Sequence, residues 1–135
     1  MTQALPHPEL ADEDLVVLTV PADGAYLSVL RTASAGLAAR LHFTLDDIED
    51  LRIAVDEACA MLLVAAPGDA ELTCRFEVAG ETLTVAVSVP SNGQQLPGAE
   101  TFAWMVLTAL AGSVRSDVSA GRATIWLSKK RDGRR

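Results

Sequence analysis

From Thr44 to Ala66 the chain holds one helical rhythm without a break. Ile48, Leu51, Val55, Ala58 and Leu62 recur at three and four residues, which stacks them on one face of a long helix. Thr44-x-x-Asp47 reads as a capping box, and Asp46 and Asp47 fall in the first turn, where the helix dipole favours anions. Pro67-Gly68 ends the run. A helix with a single apolar face has to lie on another layer, so the flanking segments must supply one.

They do so as short β-branched runs. Leu15 to Val20 reads as a first strand, stopped by Pro21. After Asp23-Gly24, the spacing of Tyr26, Leu30, Ala33, Leu37 and Leu41 predicts a first helix with those residues on its apolar face, weakened slightly by Gly36. Beyond Pro67-Gly68, residues 70–78 and 83–89 read as strands around the tight turn Ala79-Gly80-Glu81, hence an antiparallel hairpin. Pro90 to Gly98 is a Gly, Pro, Ser and Asn loop. Thr101 to Ala111 reads as a third helix with Phe102, Met105 and Ala109 on one face. Residues 113–118 and 122–127 close as a second hairpin around Ala120-Gly121. This order predicts a two-layer α/β (α+β) sandwich, with a mostly antiparallel, mixed sheet and three helices on one face. Residues 1–13 read as a flexible leader, 14–129 as the domain and 130–135 as a basic tail. Lys129, Lys130, Arg131, Arg134 and Arg135 read together as a solubilising end.

Composition narrows the function. At 135 residues the chain makes one domain, and its aromatic content of 4% implies a core of Val, Leu, Ile and Ala. A net charge of -7 disfavours nucleic acid, whose phosphates need Lys and Arg. Cys59 and Cys74 sit in apolar contexts and read as buried free thiols of a reducing cytosol. No apolar run reaches membrane-span length, and Met1 to Pro8 lacks a signal-peptide pattern, so a cytoplasmic location is expected. Nucleotide-loop, zinc-helix and paired-cysteine motifs are absent. His7 lies in the leader and His42 at a helix end, so a Ser–His triad is not expected, and neither is a metal site.

The informative stretch is Val20 to Cys59, VPADGAYLSVLRTASAGLAARLHFTLDDIEDLRIAVDEAC. It resembles the N-terminal half of RsbW-type anti-sigma factors, serine-kinase switch proteins of the GHKL (Bergerat) ATPase class. The resemblance rests on the VPA start, the Tyr-x-x-x-x-Arg spacing from Tyr26 to Arg31, the DDIEDLRIAV run and Asp56-Glu57-Ala58-Cys59. The rest of the chain follows the family's element order more loosely. TFAWMVLTALAGSV, from Thr101 to Val114, is similar to the actinobacterial anti-sigma-F branch.

The resemblance makes the long helix the family's N box. Glu57 stands at the glutamate position and would polarise an attacking hydroxyl in an active kinase. The asparagine that binds magnesium, one turn later, is Met61 here; a thioether is a soft, weak donor where magnesium demands hard oxygens. The next turn, Leu62 to Ala66, is wholly apolar. The first glycine box corresponds to Val89-Pro90-Ser91-Asn92-Gly93, with one glycine and no aspartate. Asn92 offers an amide to a base edge, and an ordinary turn accounts for it as well. The second glycine box, whose helix-terminal amides cradle phosphates, corresponds to Glu100-Thr101-Phe102-Ala103-Trp104 and has no glycine. The degenerate nucleotide site is thus Glu57, Met61, Asn92 and Gly93, and the expected cofactor is none, with at most weak ATP and magnesium.

The family's docking half is better preserved. The resemblance implies that the first strand and helix build a homodimer and a sigma-contacting face. Arg31 and Tyr26 are the candidate partner contacts; Arg31 also reads as a solvated helix arginine. The acidic run Asp46, Asp47, Glu49 and Asp50 suits either a basic partner or helix capping. Phe102 and Trp104 read as core, with a partner patch as the alternative. The expected partners are a sigma factor of the sigma-F/sigma-B type and a STAS-type anti-anti-sigma protein that competes for it. An active serine protein kinase and a dimeric adaptor without a sigma partner are the rival readings.

Overall fold

The computed structural model describes residues 13–93 and 95–131. The elements run β1 (Glu13–Pro21), a 3-10 turn (Gly24–Tyr26), α1 (Leu27–Arg40), α2 (Leu45–Ala65), β2 (Glu71–Ala79), β3 (Thr82–Pro90), α3 (Phe102–Ala111), β4 (Ser113–Ser119) and β5 (Arg122–Lys130). The five strands form one sheet in the order β1-β2-β3-β5-β4, and all four pairings are antiparallel. The sheet expected to be mostly antiparallel thus has no parallel pair among the described residues. Its order differs from chain order at one place: β5 inserts between β3 and β4.

Strand alternation sorts the side chains. Leu72, Cys74, Phe76 and Val78 of β2 are buried, as are Leu83, Val85, Val87 and Val89 of β3 and Ala123, Ile125 and Leu127 of β5. α2 lies against this face and buries Leu51, Ala54, Val55, Ala58, Cys59 and Leu62. Each of these leucine, valine, isoleucine and phenylalanine side chains contributes roughly 1.5–3 kcal/mol when removed from water. α1 and α3 pack against α2. Thr44 caps α2 by accepting a hydrogen bond from the Asp47 amide at 3.1 Å, the expected role for the start of the box. His42 ends α1 in the left-handed region, at φ 64°, and is exposed.

Three expectations are corrected. In α1 the fully buried line is Leu30, Ser34 and Ala38, and Tyr26 stands exposed at the N-cap. Ser34 tolerates burial because its hydroxyl donates to the Leu30 carbonyl one turn back, at 2.7 Å. In α3 the apolar face is turned the other way: Leu107 and Ala111 are buried and Trp104 packs on the core, while Phe102 is 78% exposed and Met105 and Ala109 face solvent. Lys129 and Lys130 belong to β5 and not to a tail. The Lys129 side chain, 14% exposed, reaches Asp47 of α2 (3.6 Å) and donates to the Leu110 carbonyl at the end of α3 (2.8 Å). Arg131 follows, paired with Glu81 at 2.6 Å.

The two edges of the sheet have different chemistry. β1 carries an uninterrupted Leu15-Val16-Val17-Leu18 run, of which Leu15, Val16 and Val17 are exposed. β4 exposes Arg115, Ser116 and Asp117 along its length, with the Arg115 guanidinium stacked on Trp126 of β5 at 4.1 Å. Among the described residues, no helix is long and apolar enough to cross a membrane.

Candidate functional site

α2 builds the site because its two halves differ in chemistry. The part up to Glu57 is acidic: Asp46, Asp47, Glu49 and Asp50 precede the single basic residue Arg52, and Asp56 and Glu57 follow it. Beyond Glu57 no charged residue follows on the helix. Where the change occurs, α2 and residues 95–97 enclose an open groove of about 500 Å³. Glu57, Ala60, Met61, Val64 and Ala65 form the helix wall, and Gln95, Leu96 and Pro97 the other. Ala60 and Ala65 leave space that larger side chains would fill.

Glu57 and Met61, expected to meet on one helix face, do share this groove. Glu57 is half-buried, and among the described residues its carboxylate pairs with no cation. Met61 is 8% exposed and belongs to the hydrophobic core as well as to the groove floor. Asn92 and Gly93 do not line the groove; both are exposed just after β3. There Gly93 adopts φ 89° and donates its amide to the Ser91 hydroxyl at 3.2 Å, a closed turn. Among the described residues no group of three His, Cys, Asp or Glu side chains is placed to hold a metal.

At the N-terminus of α3, where the resemblance would place a phosphate cradle, Thr101 already caps one of the helix amides. Thr101 accepts from the Trp104 amide (3.2 Å) and donates to the Gly98 carbonyl (2.8 Å). Glu100 folds over Gly98, where a β-carbon would stand 2.6 Å from the carboxylate. Among the described residues no lysine or arginine lines the groove. Gln95, Leu96 and Pro97 went unnoticed in the sequence, where they are three residues of a long loop with no periodicity to mark them. The apolar turn from Leu62 to Ala66 was the one signal pointing to this place.

Buried thiols flank the groove's helix without entering it. Burial pushes the Cys59 thiol up to about 12, with the Asp56 carboxylate adding to the effect. Cys74 is raised as well, by burial first and by Cys59 second. Both are free and buried, an environment that disfavours the reactive thiolate.

The remaining candidates cluster on the first strand and helix. Arg31 of α1 faces Asp56 of α2 at 3.6 Å, too long for a hydrogen bond, and its Nε is buried without an acceptor. Its side chain as a whole stays partly exposed. Tyr26 and Val29 lie exposed at the start of the same helix. Among the described residues, they and Leu15, Val16 and Val17 of the β1 edge are all the exposed large apolar side chains outside α2 and α3.

Comparison with known proteins sets this geometry in a family. No protein-family model matches the chain. It is similar to the anti-sigma-F factor RsbW of Mycobacterium tuberculosis, 31% identical over 125 residues that cover 84% of this chain and 74% of that protein. It is 38% identical to the serine-protein kinase RsbW of Bacillus velezensis over 78 residues, 56% of this chain. The chain spans about half of that protein's length, 49%. Among solved structures, a crystal structure of the RsbU and RsbW domains of a Mycobacterium tuberculosis protein superposes with a TM-score of 0.63 at 19% identity, covering 87% of this chain and 32% of that one. That likeness speaks for the fold alone. With the element order, the long capped helix and Glu57 in place, this chain belongs to the RsbW family of anti-sigma factors and serine-protein kinases.

Proposed function

We propose that this protein is a cytoplasmic anti-sigma factor that works by occlusion: as a homodimer it binds a sigma factor and masks its polymerase-binding face. The observation that carries the reading is the β1 edge. β1 pairs with β2 along all nine residues, and among the described residues its other edge has no partner; such an edge with an apolar centre is an interaction surface by default, because folded proteins otherwise guard it. Tyr26, Val29 and Arg31 extend that surface onto α1, and a guanidinium offers a partner carboxylate a bidentate grip. A STAS-type anti-anti-sigma protein competing for the same surface would release the sigma factor by affinity and concentration, with no chemical step.

In this reading the nucleotide site has been dismantled. Magnesium needs oxygen donors, and the position one turn after Glu57 offers a core-packed thioether. A triphosphate needs cations or free amides, and among the described residues the groove lining has neither lysine nor arginine. The donor set present therefore does not fit magnesium-ATP. The test is binding of a purified sigma factor of this class by size-exclusion chromatography with light scattering. One sigma factor per dimer is expected, lost in Val17→Asp; a monomer that binds no sigma factor overturns the reading.

A second reading is favoured by one observation, the placement of Glu57 at the groove: an active kinase that phosphorylates its anti-anti-sigma partner. Incubation with magnesium, labelled ATP and a STAS protein decides between them. Stoichiometric phosphoserine that disappears in Glu57→Ala would establish the kinase.

A further inference from the structure

The groove has a chemistry of its own. Its walls are apolar at Ala60, Met61, Val64, Ala65, Leu96 and Pro97, and Val64, 76% exposed, carries that character out of the groove onto the surface. An occupant that used all of it would extend past the groove, as a polypeptide does and a small molecule does not. Isolated exposed valines are ordinary, but this one continues an apolar floor.

The electrostatics point to one sign of charge. Glu57 stands at one end of the helix wall, without a cation among the described residues. At the other end α2 terminates at Ala65, and its last turn holds no basic residue. A helix C-terminus carries a partial negative charge on its unpaired carbonyls. The Ala66 amide meets only the Leu63 carbonyl there. Both ends of the wall are thus electronegative and the middle is apolar. Such a surface repels phosphates and complements a cation next to a greasy side chain.

We infer that this groove is a docking site for a basic amphipathic segment of a partner polypeptide: a bulky apolar side chain enters between Val64 and Leu96, and a lysine or arginine two turns away meets Glu57, which stands two turns before Val64 on α2. The inference rests on the reading of the groove as no triphosphate site, and it names a surface separate from the β1 edge. The mode is the helix-in-groove one, with anchors on one face of the bound helix.

The test is an NMR titration of the isotopically labelled full chain with a blocked peptide of about four helical turns. The probe places leucine and lysine two turns apart in an alanine-rich background; a twin replaces each lysine with glutamate. Saturable shifts of the Ala60, Val64 and Leu96 amides are expected with the lysine peptide, and about tenfold weaker binding of the twin, since an attraction becomes a repulsion. Glu57→Gln should weaken the lysine peptide about two- to fivefold, the range of an exposed ion pair. Val64→Glu, at an exposed position, should keep the dispersed spectrum of a folded chain and lose the apolar contact.

Equal binding of both peptides, no saturable shift, or shifts confined to β1 would overturn the inference. Shifts of the same amides on simple dilution would assign the groove to a second copy of this chain and overturn it too. Magnesium-ATP is titrated separately. Saturation by ATP at these amides would sink the parent reading, whereas discrimination between the peptides supports the docking site whatever ATP does.

Discussion

Lys129→Met is the most searching test of how the helical layer is fastened to the sheet. The substitution keeps the length and apolar body of the side chain and deletes only the ammonium. In the structure that ammonium donates to the Leu110 carbonyl at 2.8 Å and pairs with Asp47 at 3.6 Å, where the two side chains are only 14% and 22% exposed. A hydrogen bond with a charged donor contributes about 1.5–3 kcal/mol, and the carbonyl it serves is one of the orphans at a helix end. The ion pair adds at most about 1 kcal/mol, given its length. Methionine regains part of this by burying its own stem. The net loss should be about 2 kcal/mol, read as a lower midpoint in urea denaturation followed by circular dichroism. Asp47→Asn alone should cost about 0.5–1 kcal/mol, from the pair and the first-turn anion together. In the Lys129→Met background that cost should shrink, giving a coupling of about 0.5 kcal/mol or more. Added salt should erode the Asp47 effect and leave most of the Lys129 effect, because screening weakens the pair more than the hydrogen bond. A Lys129→Met chain within about 0.5 kcal/mol of the parent would refute the clamp.

Thr44→Ala should cost about 1 kcal/mol in the same assay, because it orphans the Asp47 amide at the start of α2. Ala120→Gly should stabilise by about 0.5 kcal/mol or more: Ala120 sits at φ 53° beside Gly121 at φ 77°, a turn that disfavours a β-carbon. Alkaline pH should destabilise the fold. A buried thiol raised from an ordinary 9.0 to about 12 stays protonated while the unfolded chain releases its proton, so stability is intact below pH 9 and is lost as pH rises toward 12. The slope is up to about 1.4 kcal/mol per pH unit for each thiol, and Cys59→Val should flatten it; urea midpoints across that range check this.

Much of the fold could be read from the chain because local rules agreed with one another. Thr44, Pro67 and Gly68 bracket α2 by cap and breaker, and Gly80 and Gly121 mark the two hairpins with positive φ of 61° and 77°. The mistakes arose where two answers fit the same pattern. α3, FAWMVLTALA, is apolar all round, so its Phe102–Met105–Ala109 spacing was as good a face as Trp104–Leu107–Ala111; only the packing against α2 and the sheet selects the second. Ser34 hid a core position because a hydroxyl satisfied within its own helix looks polar in the sequence. Lys129 read as tail because nothing local reveals that β5 lies between β3 and β4, a pairing of distant segments. The groove was half legible. Glu57 and Met61 follow from helical spacing, whereas Gln95 to Pro97 reach it through a loop whose path no periodicity encodes.

The contrast between the rims of the sheet bears on how far any self-association through it can go. A strand that pairs with its own copy about a twofold axis consumes the β1 rim of both molecules at once. What remains at the far side is β4, short and studded with Arg115 and Asp117, which is poorly suited to templating another strand. Growth of that kind would end after a single event, so if β1 pairs in this way, the hydrophobic border that could otherwise seed filaments would give a closed pair.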